Sequence, residues 1–334
     1  MEKVRVGFIG VGGMAELHLR SLQDIEHAEL TAVYDINSER VRQVSQQYGG
    51  TKFESAEQLL DSGSVDAIFI CTPPFARDHI EELAAEKGIH LLSEKPVDLD
   101  LETARSKQKK ILESGIIHSS GYCLRYLDTV QQAKKYLENK SIHMIHGYRL
   151  GGIPPAAWWP LMDKSGGQLV EQSTHQIDMI RYLAGEYKEV HSRYEQRSIQ
   201  HIRPDATIPD YGIISFSMES GAIGSMSNSC MTQLAGRSEV ELFGTDFYIS
   251  MDRNGADMRI VDQEQDITIR SKMKFYQEQD RAFIEAIRTN RQDLVLGGYD
   301  DAVTTLAATL AMNESAKSGV PVTIQGNQYS ASPS

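Results

Sequence analysis

Short apolar runs rich in β-branched residues alternate with amphipathic stretches through the first third of the chain. Residues 4–9 read as a buried strand, Gly10–Gly13 as a turn, and a helix follows to about Leu22. Strands are predicted next at 30–34, 65–71, 90–94 and 117–122, and helices at 38–48, 55–61, 75–87 and 101–114. Alternation on this period predicts βαβ units, hence a parallel sheet with helices on both faces.

Around residue 125 the pattern changes. A helix at 129–138 and a strand at 142–148 lead into a Gly/Pro/Trp loop and one long helix at 169–183. Strands then follow at 189–196, 212–218, 222–229, 239–243, 248–252 and 258–261, with Ser220-Gly221 and Asn254-Gly255 where turns are needed. This predicts an α+β domain with a large, mostly antiparallel open sheet. Two helices, 275–289 and 301–318, close the chain, the second expected to pack back on the first domain. The expected division is 1–124, 125–326 and a polar, frayed tail at 327–334. No internal repeat is visible.

The 334 residues suit two domains. With Lys+Arg 34 against Asp+Glu 46, the net charge of -12 argues against a nucleic-acid partner, which needs a basic face for phosphate. No apolar run is long enough for a membrane span. The first residues pass directly into a strand-like run rather than a secretory leader. Three scattered cysteines, Cys71, Cys123 and Cys230, make neither a disulfide framework nor a zinc site. The expectation is a cytoplasmic protein with reduced thiols.

Gly10-Val11-Gly12-Gly13-Met14-Ala15 is a G-x-G-x-x-A sequence between a predicted strand and a predicted helix, the context that makes it a dinucleotide fingerprint. Gly10 permits the tight turn, Gly12 lets backbone approach a pyrophosphate, and Ala15 allows close helix–strand packing. Gly13 and Met14 open the helix, whose N-terminus offers free N–H groups to phosphates. Asp35 ends the second strand, where a carboxylate bonds the ribose hydroxyls of NAD and repels the extra phosphate of NADP. Asp35 also suits a helix cap. Arg40 could pair with a phosphate or lie on a solvated helix face. Thr72 and Pro73 follow another core strand, as cofactor contacts or as a strand terminator.

Two further groups carry candidate chemistry. Glu94-Lys95-Pro96 ends a strand, which directs Lys95 toward the crevice where a nicotinamide would lie, with Glu94 beside it. A fixed ammonium stabilises a developing alkoxide. On the predicted long helix, Glu171, His175 and Asp178 share one face at i, i+4 and i+7. Histidine exchanges protons near neutral pH, and a carboxylate one turn back would orient it. A metal reading of these three lacks a second ligand cluster, so no metal is expected. Trp158 offers an apolar face to a sugar ring, or packs into a seam. Arg125 and Tyr126 either line the cleft or cement the junction.

Together these motifs resemble the Gfo/Idh/MocA family of sugar and cyclitol oxidoreductases, over essentially the whole chain. The markers are the GxGxxA loop, Glu94-Lys95-Pro96, Gly121-Tyr122 with Arg125-Tyr126, and Gly166-Gly167 followed by Glu171, His175 and Asp178. The resemblance implies an N-terminal Rossmann domain, a C-terminal open-sheet domain, catalytic roles for Lys95 and His175, and a homodimer or homotetramer formed through the open sheet. Inositol-dehydrogenase-like members usually carry Asp where Glu171 stands.

The expected activity is hydride transfer between NAD and a secondary alcohol of a small sugar, sugar derivative or cyclitol. His175 would be the base, Glu171 its orienting partner and Lys95 the oxyanion stabiliser. Asp178, Trp158, Arg125 and Tyr126 would be substrate contacts. Two alternatives stay open: transient oxidation without net redox change, as in a sugar lyase or glycosidase, and a non-catalytic NAD- or sugar-sensing regulator.

Overall fold

The computed structural model describes residues 3–331. Its first part runs β1 (Val4–Ile9), α1 (Gly13–Gln23), β2 (Ala28–Tyr34), α2 (Ser38–Tyr48), β3 (Thr51–Lys52), α3 (Ala56–Asp61), β4 (Ala67–Ile70), α4 (Ile80–Glu86), β5 (His90–Ser93), α5 (Leu101–Ser114) and β6 (His118–Ser120). Next come α6 (Asp128–Leu137), β7 (Met144–Leu150), α7 (Met162–Ser165), α8 (Gly167–Glu171), α9 (Thr174–Ala184), β8 (Tyr187–Glu195), β9 (Tyr211–Met218) and β10 (Ile223–Ser229). The chain continues with β11 (Arg237–Phe243), β12 (Phe247–Asp252), β13 (Asp257–Asp262) and β14 (Asp266–Arg270). It closes with α10 (Phe275–Thr289), α11 (Tyr299–Ser318), β15 (Val322–Gln325) and β16 (Gln328–Ala331).

The chain forms two compact units. The first comprises the residues up to Tyr126 together with Lys274–Ala302. Its sheet has the order β3-β2-β1-β4-β5-β6, with every ladder parallel. The middle strands are apolar along their length because both faces are covered: β4 is buried at all four positions. The order reverses between β1 and β4, and such a switch point opens a crevice at the strands' C-terminal ends. Phe283, Ile284 and Ala286 of α10 join Val6, Phe8 and Phe69 in this core, with the Phe69 and Phe283 rings 5.7 Å apart. Burial of one such ring is worth about 2 kcal/mol, which accounts for this late helix belonging to the N-terminal unit.

The second unit comprises Leu127–Met273 and the residues from Val303 onward. Its ten-stranded sheet has the order β14-β13-β12-β11-β7-β10-β9-β8-β15-β16. The ladders are antiparallel except for the parallel pair β7 and β10. α9 packs on β7 and β11. Gly147 of β7 makes room for it: a Cβ there would stand 2.6 Å from Met226 Sδ and 3.2 Å from Ile180 Cδ1. Along β9, buried Ile214, Phe216 and Met218 alternate with outward-facing residues, so one face of the sheet is core and the other is open.

Several elements differ from the sequence reading. The helix expected at 75–87 is a short 3-10 turn at Pro74–Ala76 followed by α4, with Asp78 at φ 43 between them. The helix expected at 169–183 is two, α8 and α9. At the break the Ser173 N–H reaches back five residues to Gln168 O, and the His175 N–H only three, to Gln172 O at 3.4 Å. β14 and the β15–β16 hairpin were not anticipated. Gln328–Ala331 is paired with β15 through a turn at Gly326-Asn327, so this part of the expected frayed tail is an edge strand; residues 332–334 lie outside the described residues. The segment that returns to the first unit is Lys274–Ala302, which carries α10, not named in the expectation, and the first residues of α11, the last helix.

Candidate functional site

In the first unit the glycine loop sits where β1 and β4 part. Gly10 has φ 86, and a Cβ there would lie 2.8 Å from Thr72 N and Thr72 Cγ2. The turn therefore closes tightly on the Cys71–Thr72 peptide, and only glycine fits. Gly12 and Gly13 have the opposite surroundings: a Cβ at either would meet nothing within 4 Å. The loop is pressed against protein on one side and open on the other, where α1 presents its first N–H groups, those of Gly13, Met14 and Ala15, before the Glu16 N–H bonds back to Gly12 O.

Asp35 holds this loop. Its Oδ2 accepts the Val11 N–H at 2.8 Å and its Oδ1 accepts the Asn37 N–H at 2.8 Å. Asn37, not Asp35, caps α2, its side chain accepting the Arg40 N–H. Arg40 itself is exposed. Thr72 Oγ1 is buried with no hydrogen-bond partner among the described residues, on the loop that Gly10 touches. An orphaned hydroxyl beside an open Gly12-Gly13 cradle and a carboxylate at the end of β2 fits a dinucleotide, and these residues would hold it.

The second crevice loop, after β5, carries Lys95. The Lys95-Pro96 peptide is cis. Glu94 is buried, and its Oε2 accepts the Lys95 N–H at 3.0 Å while its Oε1 lies 3.2 Å from His18 Nε2. Gly121 has no side chain because a Cβ would lie 2.6 Å from Glu94 Oε2 and 2.8 Å from Lys95 N. Arg77, only 1% exposed, ties the two loops together. Its Nη1 donates to Pro96 O at 2.6 Å, and its Nη2 and Nε donate to Thr72 O at 3.1 and 3.2 Å. Below it, buried Lys107 lies 3.0 Å from Asp98 Oδ2 and 3.4 Å from Glu81 Oε2. The Lys95 loop is therefore rigidly set by charge-assisted bonds at both ends.

Three residues here escaped the sequence reading: Arg77, His18 and Asp280. His18 is fully buried, with Nδ1 2.8 Å from Asp280 Oδ1. Burial by itself would lower its pKa, but Asp280 and Glu94 outweigh that and raise it to about 10, so the ring is an imidazolium donating to both. The available signal was a titratable side chain on the face of α1 that also carries Ala15, Leu19 and Leu22. Arg77 gave no such signal.

Arg125 and Tyr126 are engaged by bonds within the first unit. Arg125 is buried, with Nη1 donating to Leu296 O at 2.8 Å and paired with Asp301. Tyr126 OH accepts the Leu296 N–H at 2.9 Å. Both fasten the segment around Leu296 within the first unit. Glu94 turns its carboxylate oxygens toward His18 and the Lys95 amide and so supports the Lys95 loop.

Trp158, Glu171, His175 and Asp178 belong to the second unit. The break between α8 and α9 removes the continuous helical spacing expected for Glu171 and His175: the first ends α8, the second lies in the first turn of α9. Glu171 Oε2 accepts the Trp159 indole N–H at 2.6 Å. Trp159 is buried with Ile199, Ala206, Ile208 and Cys230, and half-buried Trp158 packs against this cluster. Burial pushes the nearby Arg149 guanidinium down, partly offset by Glu171. Asp178 is buried, its Oδ1 accepting from Thr305 Oγ1 at 2.9 Å. This bond ties Asp178 to α11. His175 is half-buried.

Among the described residues no group of three or more His, Cys, Asp or Glu side chains could hold a metal ion. No helix among them is long and apolar enough to cross a membrane.

A six-stranded parallel sheet with a glycine loop at its switch point, followed by a large open sheet, defines an NAD-binding oxidoreductase fold. Residues 4–122 match the model of an oxidoreductase family with an NAD-binding Rossmann fold, and residues 130–250 match the GFO/IDH/MocA C-terminal domain. The chain belongs to the Gfo/Idh/MocA family of oxidoreductases, and is related to inositol and sugar dehydrogenases. It is 26% identical to the uncharacterized oxidoreductase YrbE of Bacillus subtilis, covering 97% of each chain. It is 25% identical to the myo-inositol 2-dehydrogenase of Thermotoga maritima, covering 86% of each. Its fold superposes on the WlbA dehydrogenase of Bordetella pertussis, solved with NADH and UDP-GlcNAcA, with a TM-score of 0.84 at 21% identity, covering 97% of this chain and 99% of that one.

Proposed function

We propose that the protein is an NAD(H)-dependent oxidoreductase acting on a secondary alcohol, or the matching ketone, of a sugar, sugar derivative or cyclitol. The observation that carries this is the cradle of Gly10, Gly12, Asp35 and the orphaned Thr72 hydroxyl, set beside the rigidly held Lys95 loop. The similarity to a myo-inositol 2-dehydrogenase supports the substrate class.

Bound NAD supplies a hydride acceptor at nicotinamide C4. Gly12, Gly13, Met14 and Thr72 hold it, and Asp35 selects it over NADP, because its carboxylate bonds ribose hydroxyls and repels a phosphate. In the oxidative direction His175 takes the proton of the substrate hydroxyl as its C–O bond becomes a carbonyl. The Lys95 ammonium stabilises the negative charge that gathers on that oxygen. Glu171 acts at one remove, fixing Trp159 and with it the aromatic wall on which Trp158 meets the ring face of the substrate. The open sheet face, where Ile213 and Ile223 are 64% and 62% exposed, is covered by a second copy of the chain in a dimer or tetramer. The enzyme works in the cytoplasm, a setting that suits its three free cysteines.

The test is an NADH-absorbance screen of the purified protein against inositols, monosaccharides and sugar acids, with NAD and NADP in parallel. The expected result is turnover of at least one cyclic polyol with a clear preference for NAD. Silence across the panel, in protein that binds NADH, would contradict the dehydrogenase reading.

A further inference from the structure

His18 stands 76 residues before Glu94 in sequence, yet it lies directly beneath the Lys95 loop. It projects from α1, the helix that receives the dinucleotide loop, and is fully buried between two carboxylates from different elements. Asp280 of α10 sits at 2.8 Å from Nδ1 and Glu94 at 3.2 Å from Nε2. Phe69 and Tyr276 wall it with ring edges at centroid distances of 5.2 and 5.4 Å. Glu94 then accepts the Lys95 N–H at 3.0 Å, in space that only a glycine at position 121 leaves open. A continuous chain therefore runs from Asp280 through His18 and Glu94 to the backbone of Lys95.

We infer that His18 is a positioning residue for Lys95, holding the Glu94 carboxylate where it fixes the Lys95 peptide and linking that peptide to the dinucleotide helix. The importance of this link for turnover rests on the proposed role of Lys95; the link itself does not. The physical reason is the cost of a buried carboxylate oxygen left without its hydrogen-bond donor. Deprived of the Nε2 donor, the Glu94 carboxylate would turn toward other donors or solvent, and its hold on the Lys95 N–H would weaken. The two ring nitrogens can be tested separately. Asparagine can reproduce the Nδ1 donor toward Asp280, and glutamine the Nε2 donor toward Glu94.

The experiment compares wild type, His18→Asn and His18→Gln as full-length protein. The acetylation rate of Lys95 by acetic anhydride is read by mass spectrometry, with solvent-exposed Lys109 as internal reference. Loss of the Glu94 bond in His18→Asn is expected to change the Lys95 rate by about fivefold, the equivalent of one hydrogen bond. Lys109 should be unchanged, and His18→Gln should stay near wild type. Should His18→Asn not fold, Glu94→Gln carries the same expectation, since it keeps volume and one acceptor but drops the charge. Equal Lys95 rates in all variants, or equal shifts in Asn and Gln variants, would overturn the inference. Polyol turnover by Lys95→Ala judges the catalytic reading separately: turnover lost there, with labelling unmoved in His18→Asn, refutes only the positioning role.

Discussion

His175→Ala is expected to lower kcat on a polyol substrate by about a hundred- to ten-thousandfold, the usual contribution of a positioned general base. Lys95→Ala should cost about a hundred- to a thousandfold, as removal of one oxyanion donor does. Both losses should fall mainly on kcat. The proton transfer and the charge on oxygen develop in the transition state, so their removal leaves ground-state binding largely intact. Lys95→Arg should recover little: a guanidinium is planar and forked where the ammonium is a compact charge, and the loop is pinned through Pro96 O and the Lys95 N–H. Steady-state kinetics with NADH affinity measured alongside checks this. Near-native turnover by His175→Ala on the true substrate would remove the base assignment.

The second large effect concerns the nucleotide loop, where two neighbouring glycines should behave differently. Gly10→Ala places a methyl 2.8 Å from the Thr72 backbone at φ 86. The left-handed conformation alone costs about 1–2 kcal/mol for a residue with a Cβ, and the collision adds to it. The expected result is a lower melting temperature together with NADH binding weakened by about a hundredfold, or about 2.7 kcal/mol. Gly12→Ala meets nothing within 4 Å and has φ -80. Its melting temperature should match wild type, while NADH affinity falls because the methyl occupies the space reserved for the pyrophosphate. Thermal melts and NADH fluorescence titrations separate the two. A Gly12→Ala protein that binds NADH like wild type would place the cofactor elsewhere.

The parallel sheet was legible because its strands are buried on both faces, leaving unbroken apolar runs such as Ala67–Ile70. The nucleotide loop was legible because its glycines stand between a strand and a helix. The break between α8 and α9 was hidden, since Leu169, Val170, Ile177 and Ile180 keep an apolar helix face on both sides of it. Only Ser173-Thr174, a pair suited to starting a helix, hinted at it. β16 was missed because an edge strand with little to bury reads as polar tail. The pairing of Arg125 with Asp301 left no local sign because the partner lies 176 residues away in sequence. The same distance problem concealed His18, whose partner Asp280 is 262 residues on. Long-range pairing of buried charges leaves no local period to read, and in the candidate site it underlies the Lys95 loop.

The central claim is that a carbon-bound hydrogen of the substrate alcohol passes directly to NAD. The most direct test is turnover of a polyol deuterated at its ring carbons, followed by mass and NMR analysis of the NADH formed. The account predicts deuterium at C4 of the nicotinamide, retained when the reaction runs in ordinary water, and lost as a product in His175→Ala and Lys95→Ala. Consumption of the labelled polyol with no deuterium in the NADH pool would contradict it, and would mark a reaction without net hydride transfer to free cofactor.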